Sequence, residues 1–304
     1  MKKALKISIR IVLAVLMMVL VAVLLVRFVF RRQVAEHLYD IQCRERVALL
    51  RDAAKYAPDT LSYRFGYRQD TACARRIRDY FRLDTLTDPA SAAWDRALAL
   101  ARFVARNIPH ANQQSYPEVC NAVGLWEYTR TVEPAFNCRL HAILLHELLL
   151  AEGITNRFVT CLPADSLDRD CHVVNLVWLP ERQKWAMLDS DMRAWAEDET
   201  GTPLSLAEMR ERYLDDRKIV YRPLLDAEKS FDYYRTYWSK NLYWFACWET
   251  TGYERENRSP IYKGRSRTVA LLPPGFGGFA LQPTDVQTSD DERFWAAPEP
   301  LTIE

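Results

Sequence analysis

Residues 136–154 read FNCRLHAILLHELLLAEGI. From Leu140 onward almost every position is apolar, the mark of a helix buried on all sides. Asn137 is a favoured helix N-cap, so Cys138 falls at the first helical position, and Gly153 supplies the C-terminal cap. Unpaired backbone N–H groups and the positive end of the helix dipole stabilise a thiolate at such a position. The same N–H groups can hold an oxyanion during acyl transfer. Cys138 is therefore a candidate nucleophile, although a lone cysteine in an apolar helix is usually a small buried hydrophobe.

A thiolate nucleophile needs a base, and the base needs an orienting group. Downstream the pattern changes to strands: NRFVTC (156–161), CHVVNLVWL (171–179) and KWAMLD (184–189), the last two joined by PERQ as a hairpin. A four-residue loop at 180–183 sets His172 opposite Asp191 and Val174 opposite Asp189. His172 and Asp189 then lie on one face as diagonal neighbours, with Cα atoms roughly 7–8 Å apart. A loop one residue longer or shorter would put them on opposite faces. The candidate triad is Cys138, His172 and Asp189.

Several residues compete for these roles. His141 leans back toward Cys138 and is a rival base, ranked lower because no carboxylate is placed to orient it. Asp191 is either an alternative orienting acid or a turn residue. His146 reads as a packed or partly exposed helix residue and Arg139 as half of a structural ion pair. Cys138-x-x-His141 with Cys171-His172 could spell a zinc site, but the spacing fits no common finger pattern. No metal and no cofactor is expected.

The ordered set, Cys138-Arg139, Gly153-Ile154, His172, Trp185 and Asp189, resembles the catalytic core of the transglutaminase-like superfamily over roughly residues 90–215. The resemblance implies a papain-like fold and a Cys–His–Asp triad. The chain departs from the family pattern in carrying Phe136 two residues before the cysteine and Ser190-Asp191 after the acid. No Gln stands shortly before Cys138 as an oxyanion donor, and Trp126 is the substitute considered. The chemistry implied is attack on an amide carbonyl. Hydrolysis of a peptide or protein is favoured over crosslinking, since no amine-binding feature is visible. A catalytically silent transglutaminase-like domain, used for binding or assembly at a membrane, is the rival from a different class.

Outward from this core, the composition is ordinary for a globular protein, and a net charge of +1 gives no case for nucleic acid. Only nine glycines are present and none form a phosphate loop. The N-terminus is different. Lys2, Lys3, Lys6 and Arg10 precede an unbroken apolar run at 11–26, and Arg27, Arg31 and Arg32 follow it. With its flanks the run can cross a bilayer core of about 30 Å, and no cleavage site follows. Residues 1–32 read as an uncleaved transmembrane signal anchor, so the membrane is a partner and residues 33–304 are placed outside the cytoplasm.

The division expected is 33–86 as a helical stem, 87–220 as the transglutaminase-like core and 221–304 as a C-terminal extension packing on it. Within these, 33–56 and 69–82 suggest helices, and Thr87-Asp88-Pro89 suggests the start of another. Residues 107–134 read as a long connection without period, Ser205 to Glu208 as a capping box, and 229–248 as an aromatic core segment. Helices first and an antiparallel sheet after them make the class α+β. Cys161 and Cys171, on adjacent strands, are a candidate disulfide in an oxidising compartment. The sequence leaves the oligomeric state open.

Overall fold

A computed structural model describes residues 2–168, 170–226, 231–256, 267–279 and 281–303. In chain order the elements are α1 (Lys2–Phe28), α2 (Arg31–Asp52), β1 (Gly66–Gln69), α3 (Thr71–Phe81), α4 (Ala93–Asn107), α5 (Ala122–Thr131) and α6 (Cys138–Ala151). Then come β2 (Asn156–Leu162), β3 (His172–Leu179), β4 (Lys184–Asp189), β5 (Ala194–Glu197), α7 (Leu206–Leu214), β6 (Val220–Pro223) and α8 (Asp232–Asn241). The chain closes with β7 (Trp244–Trp248), β8 (Thr250–Thr251), β9 (Thr268–Leu271), β10 (Val286–Thr288), α9 (Asp291–Phe294) and β11 (Thr302–Ile303).

The fold is α+β. An eight-stranded sheet runs in the order β10-β9-β7-β2-β3-β4-β5-β6, antiparallel except for the parallel β9–β10 pair. Side chains alternate across it. Phe158, Val173 and Val177 join one core with α6 and the residues of α3, α4 and α5 that surround it. Val159, Val174 and Leu176 join a second core with residues of α2, α7 and α8.

The quoted helix sits where its composition requires. Every residue from Leu140 to Ala151 is buried, the two histidines and Glu147 included. Asn137 caps the helix by accepting from Leu140 N at 3.1 Å. At the other end Gly153 adopts φ +70°, and the Ile154 amide bonds back to Leu149 O at 2.9 Å. That is the glycine-terminated motif, and a side chain at Gly153 would strain it. Asn175 on β3 donates to Ala142 O at 3.0 Å and ties the helix to the sheet.

Glu147 is the costly member of this helix. Its carboxylate accepts from the amides of Ala122 (2.7 Å) and Glu254 (2.6 Å), yet burial pushes its pKa up to about 7. The folded state therefore binds this proton more tightly than the unfolded chain does. Stability is greatest below the unfolded value near 4.5 and declines as pH rises toward 7. At about 1.4 kcal/mol per pH unit the loss is on the order of 3 kcal/mol. Denaturant titrations at pH 5 and pH 8 should show that decline in the wild type and much less of it in Glu147→Gln. Parallel pH profiles for the two proteins would contradict the assignment.

Four readings of the sequence need correcting. Thr87-Asp88-Pro89 does not open a helix: α4 begins at Ala93, and Thr87 instead bonds Glu152 Oε2 at 2.8 Å and Leu83 O at 3.1 Å. The connection 107–134 contains α5, capped by Asn121, which accepts from Gly124 N at 2.8 Å. The 161–171 disulfide is ruled out by register. Cys161 pairs with His172, so Cys171 falls one position out and on the other face; all seven cysteines are free. Residues 221–304 do more than pack on the core, because β7 hydrogen-bonds directly to β2 and extends the sheet. His146 is packed, the first of the two readings open to it: it is fully buried, bonding Asn156 Oδ1 at 2.6 Å and Thr251 Oγ1 at 2.9 Å, and burial lowers its pKa to about 4. In the aromatic stretch, Lys229 and Ser230 lie outside the described residues.

Helix α1 holds a 20-residue segment, Ile9–Phe28, with mean hydropathy 3.1 and no buried share. It is long and apolar enough to cross a membrane, by length and composition. It contributes nothing to either core. Deleting residues 1–32 should accordingly give a soluble, folded protein. The check is gel filtration and circular dichroism; aggregated, unfolded material rescued only by restoring the segment would contradict this.

Candidate active site

The N-terminus of α6 meets the first residue of β3 at one end of the sheet. Cys138, partly buried, lies with its Sγ 3.9 Å from Cys171 O. The next residue, His172, points its Nε2 at Asp189 Oδ2, 2.6 Å away, and both are buried. A ring nitrogen of His172, Cys138 Sγ and a carboxylate oxygen of Asp191 all lie within 4.8 Å of one another. Since Nε2 is engaged by Asp189, Nδ1 is the nitrogen left for the thiol.

The hairpin register produces this meeting. Leu179 pairs with Lys184 and Asn175 with Leu188, as the four-residue loop requires. His172 and Asp189 are thus diagonal neighbours on one face, and the imidazole closes the gap. Burial opposes charge on His172, but the adjacent Asp189 carboxylate overrides it and holds the imidazole well above its ordinary range. Burial would likewise raise Asp189. The His172 charge, the Met192 amide (2.9 Å) and the Tyr234 hydroxyl (2.8 Å) bring its pKa below the usual carboxylate value.

Helix α8 supports the pair from behind. The rings of Tyr237 and Trp238 meet His172 edge-on at centroid distances of 5.2 and 5.4 Å. The Tyr237 hydroxyl lies 3.1 Å from Cys171 O and 3.0 Å from Asp170 Oδ1, fixing the approach to β3. Sequence reading placed this aromatic segment in the core without assigning Tyr234 or Tyr237 to the site. Their spacing does put Tyr234, Tyr237 and Trp238 on one helix face, but only the fold shows which element that face meets.

The rival residues separate cleanly. Asp191 does not orient His172. Both its oxygens face His110 Nδ1, at 2.8 and 3.0 Å, and His141 Nε2 stands 3.5 Å from it. A carboxylate is thus placed beside His141, contrary to the sequence reading. Burial nevertheless lowers the His141 pKa and keeps that ring neutral inside the core. Arg139 pairs with Glu256 at 2.6 Å. Trp126 stacks on Phe103 and carries Arg130 over its ring at 4.2 Å, within the helical layer. Trp185 packs against Tyr67 and Trp178 and donates to Ala296 O, a structural role.

The three atoms that a soft divalent cation would use belong to Cys138, His172 and Asp191. Asp191 is already bidentate to His110, so a cation would have to displace that pair. The donor set fits a hydrogen-bonded proton relay better than a tetrahedral cage.

An α+β fold with a cysteine at a helix start, a histidine heading the adjacent strand and an aspartate on the next defines a class, and comparison agrees with it. Residues 81–190 match the profile of the transglutaminase-like superfamily. That segment, which carries Cys138, His172 and Asp189, is similar to the superfamily's core. No curated protein matches the chain. Among solved structures, a cysteine-protease candidate from Cytophaga hutchinsonii is similar over 40% of this chain and 39% of that one, at 15% identity and a TM-score of 0.31. A likeness that slight carries no argument about function.

Proposed function

We propose that this protein is a membrane-anchored, cysteine-dependent amidase or peptidase, with Cys138 as nucleophile, His172 as general base and acid, and Asp189 as orienting acid. The observation that carries this reading is the 2.6 Å bond from His172 Nε2 to Asp189, with the other ring nitrogen left for the thiol. The thiol proton passes to His172, and the sulfur attacks the amide carbonyl. The C–N bond breaks as His172 returns the proton to the leaving amine, and a thioester remains on Cys138. Water, deprotonated by His172, then releases the acid. Asp189 holds the imidazole in one tautomer and stabilises its charge without taking its proton. Residues 33–304 face the extracytoplasmic side, where the substrates are peptides or proteins near the membrane.

Quenched-fluorescent peptide libraries, presented to the full chain in detergent, test the proposal. Cleavage that is lost on brief alkylation supports it. A chain that binds peptides but cleaves none, while Cys138 reacts no faster than an ordinary thiol, would point instead to a silent binding module. Ligation of an added amine in preference to water would assign it to crosslinking.

A further inference from the structure

The proposed acyl transfer also needs a donor for the carbonyl oxygen. The helix start offers the Cys138 amide, one of the N–H groups with no partner inside the helix. Gln113 packs beside the same turn, but both ends of its amide are spent, Nε2 on Ala135 O (3.0 Å) and Oε1 on Asn137 N (2.9 Å). Trp126 is in the helical layer.

His110 is differently placed. It pairs in a parallel bridge with Phe136, two residues before Cys138. Two backbone bonds lock that bridge, Ala111 N to Phe136 O (2.9 Å) and Phe136 N to Pro109 O (3.0 Å). Its Nδ1 is clamped by both oxygens of Asp191. Asp191 in turn lies within 4.8 Å of the thiol and of His172. The Asp191 side chain is 2% exposed and that of His110 is 51% exposed, so the pair runs from the buried site to its mouth. Such a buried carboxylate orients an imidazole and holds it in the charged form. The hydrogen bond to Asp191 raises the His110 pKa accordingly. With Nδ1–H committed to Asp191, protonation of the ring places its second N–H at Nε2.

We propose that His110 is a catalytic residue, its Nε2–H donating to the oxyanion formed when Cys138 attacks the carbonyl, with Asp191 as its positioning residue. The inference rests on the acyl-transfer reading above. As sulfur bonds to carbon, the carbonyl π pair moves onto oxygen and meets two donors, the Cys138 amide and His110 Nε2–H. No proton leaves His110. The pair returns to re-form C=O when the C–N bond breaks.

Two reagents separate this role from a structural one. p-Nitrophenyl acetate acylates a thiolate through an oxyanion; iodoacetamide alkylates it by displacement at a saturated carbon, with no oxyanion. Rates for both should be measured on the full chain in detergent. His110→Ala should slow acylation by roughly 10²–10³-fold, the usual effect of losing one oxyanion donor. Alkylation, which forms no oxyanion, should stay near the wild-type rate. His110→Gln, which keeps an N–H donor, should recover part of the acylation rate, and Asp191→Asn should lose less than His110→Ala. Equal losses with both reagents, or no loss with either, would overturn the inference. Should His110→Ala not fold by thermal melting, His110→Gln and Asp191→Asn decide by the same ratio of rates. If the wild-type Cys138 reacts with neither reagent faster than the other thiols, the acyl-transfer reading itself fails, and this one with it.

Discussion

Cys138→Ala should abolish turnover and leave the protein folded. Removing the nucleophile of such a group typically costs roughly 10⁵–10⁶-fold in rate. The fold has little reason to change. The side chain is only partly buried, its hydrogen bond to Cys171 O is a long one, and alanine is the best helix former. The cap on Leu140 N belongs to Asn137 and stays. Thermal melting within a few degrees of wild type, with no detectable product, is the expected pair of results. Retained activity would remove Cys138 from the mechanism.

His172→Ala should be nearly as damaging as loss of the nucleophile, while Asp189→Asn should cost less, roughly 10²–10⁴-fold, because the acid orients and stabilises without taking the proton. Asparagine can still accept from Tyr234, but it no longer offsets the burial of a charged imidazole. The pH dependence provides the sign. His172 has a raised folded pKa, so its share of stability is full below the unfolded value near 6.5 and is lost as pH climbs through the folded one. Asp189 has a lowered folded pKa, so its share is present above the unfolded value near 3.8 and is lost as pH falls through the folded one. The window opens in the acid range and closes on the alkaline side of 6.5. Asp189→Asn should flatten that window in denaturant titrations and shift the His172 titration downward. If Asp189→Asn is silent while Asp191→Asn abolishes activity, the orienting acid has been misassigned.

What the sequence disclosed depended on how local each signal was. The hairpin was legible because PERQ fixes the register, and the register carries His172 to Asp189. Capping at Asn137 and Gly153 fixed both ends of α6 for the same reason. The cysteines had no such guide: adjacency of the two strands suggested a disulfide, and the pairing of Cys161 with His172 puts Cys171 on the other face. The register of β2 against β3 is set across a nine-residue connection, not a tight turn. At Thr87 a good capping sequence lost to a tertiary partner, Glu152, that only the folded chain provides. His110, Tyr234 and Tyr237 were invisible as site residues because they arrive from α4's trailing loop and from α8, each far from Asp189, Asp191 or Cys171 in sequence.

The central claim is that Cys138, alone among seven cysteines, is the activated nucleophile. Timed iodoacetamide labelling of the native full chain near neutral pH, with each cysteine quantified by peptide mass spectrometry, tests it most directly. Cys73 and Cys171 are built-in controls: both are partly exposed, and burial pushes the first up to about 11 and raises the second. Cys43, Cys120, Cys161 and Cys247 are buried. Cys138 should be labelled at least tenfold faster than any of them, on the order expected when a thiolate replaces a thiol at this pH, and His172→Ala should remove the difference. Labelling of Cys138 at the same rate as Cys73 and Cys171, or its persistence undiminished in His172→Ala, would contradict the account.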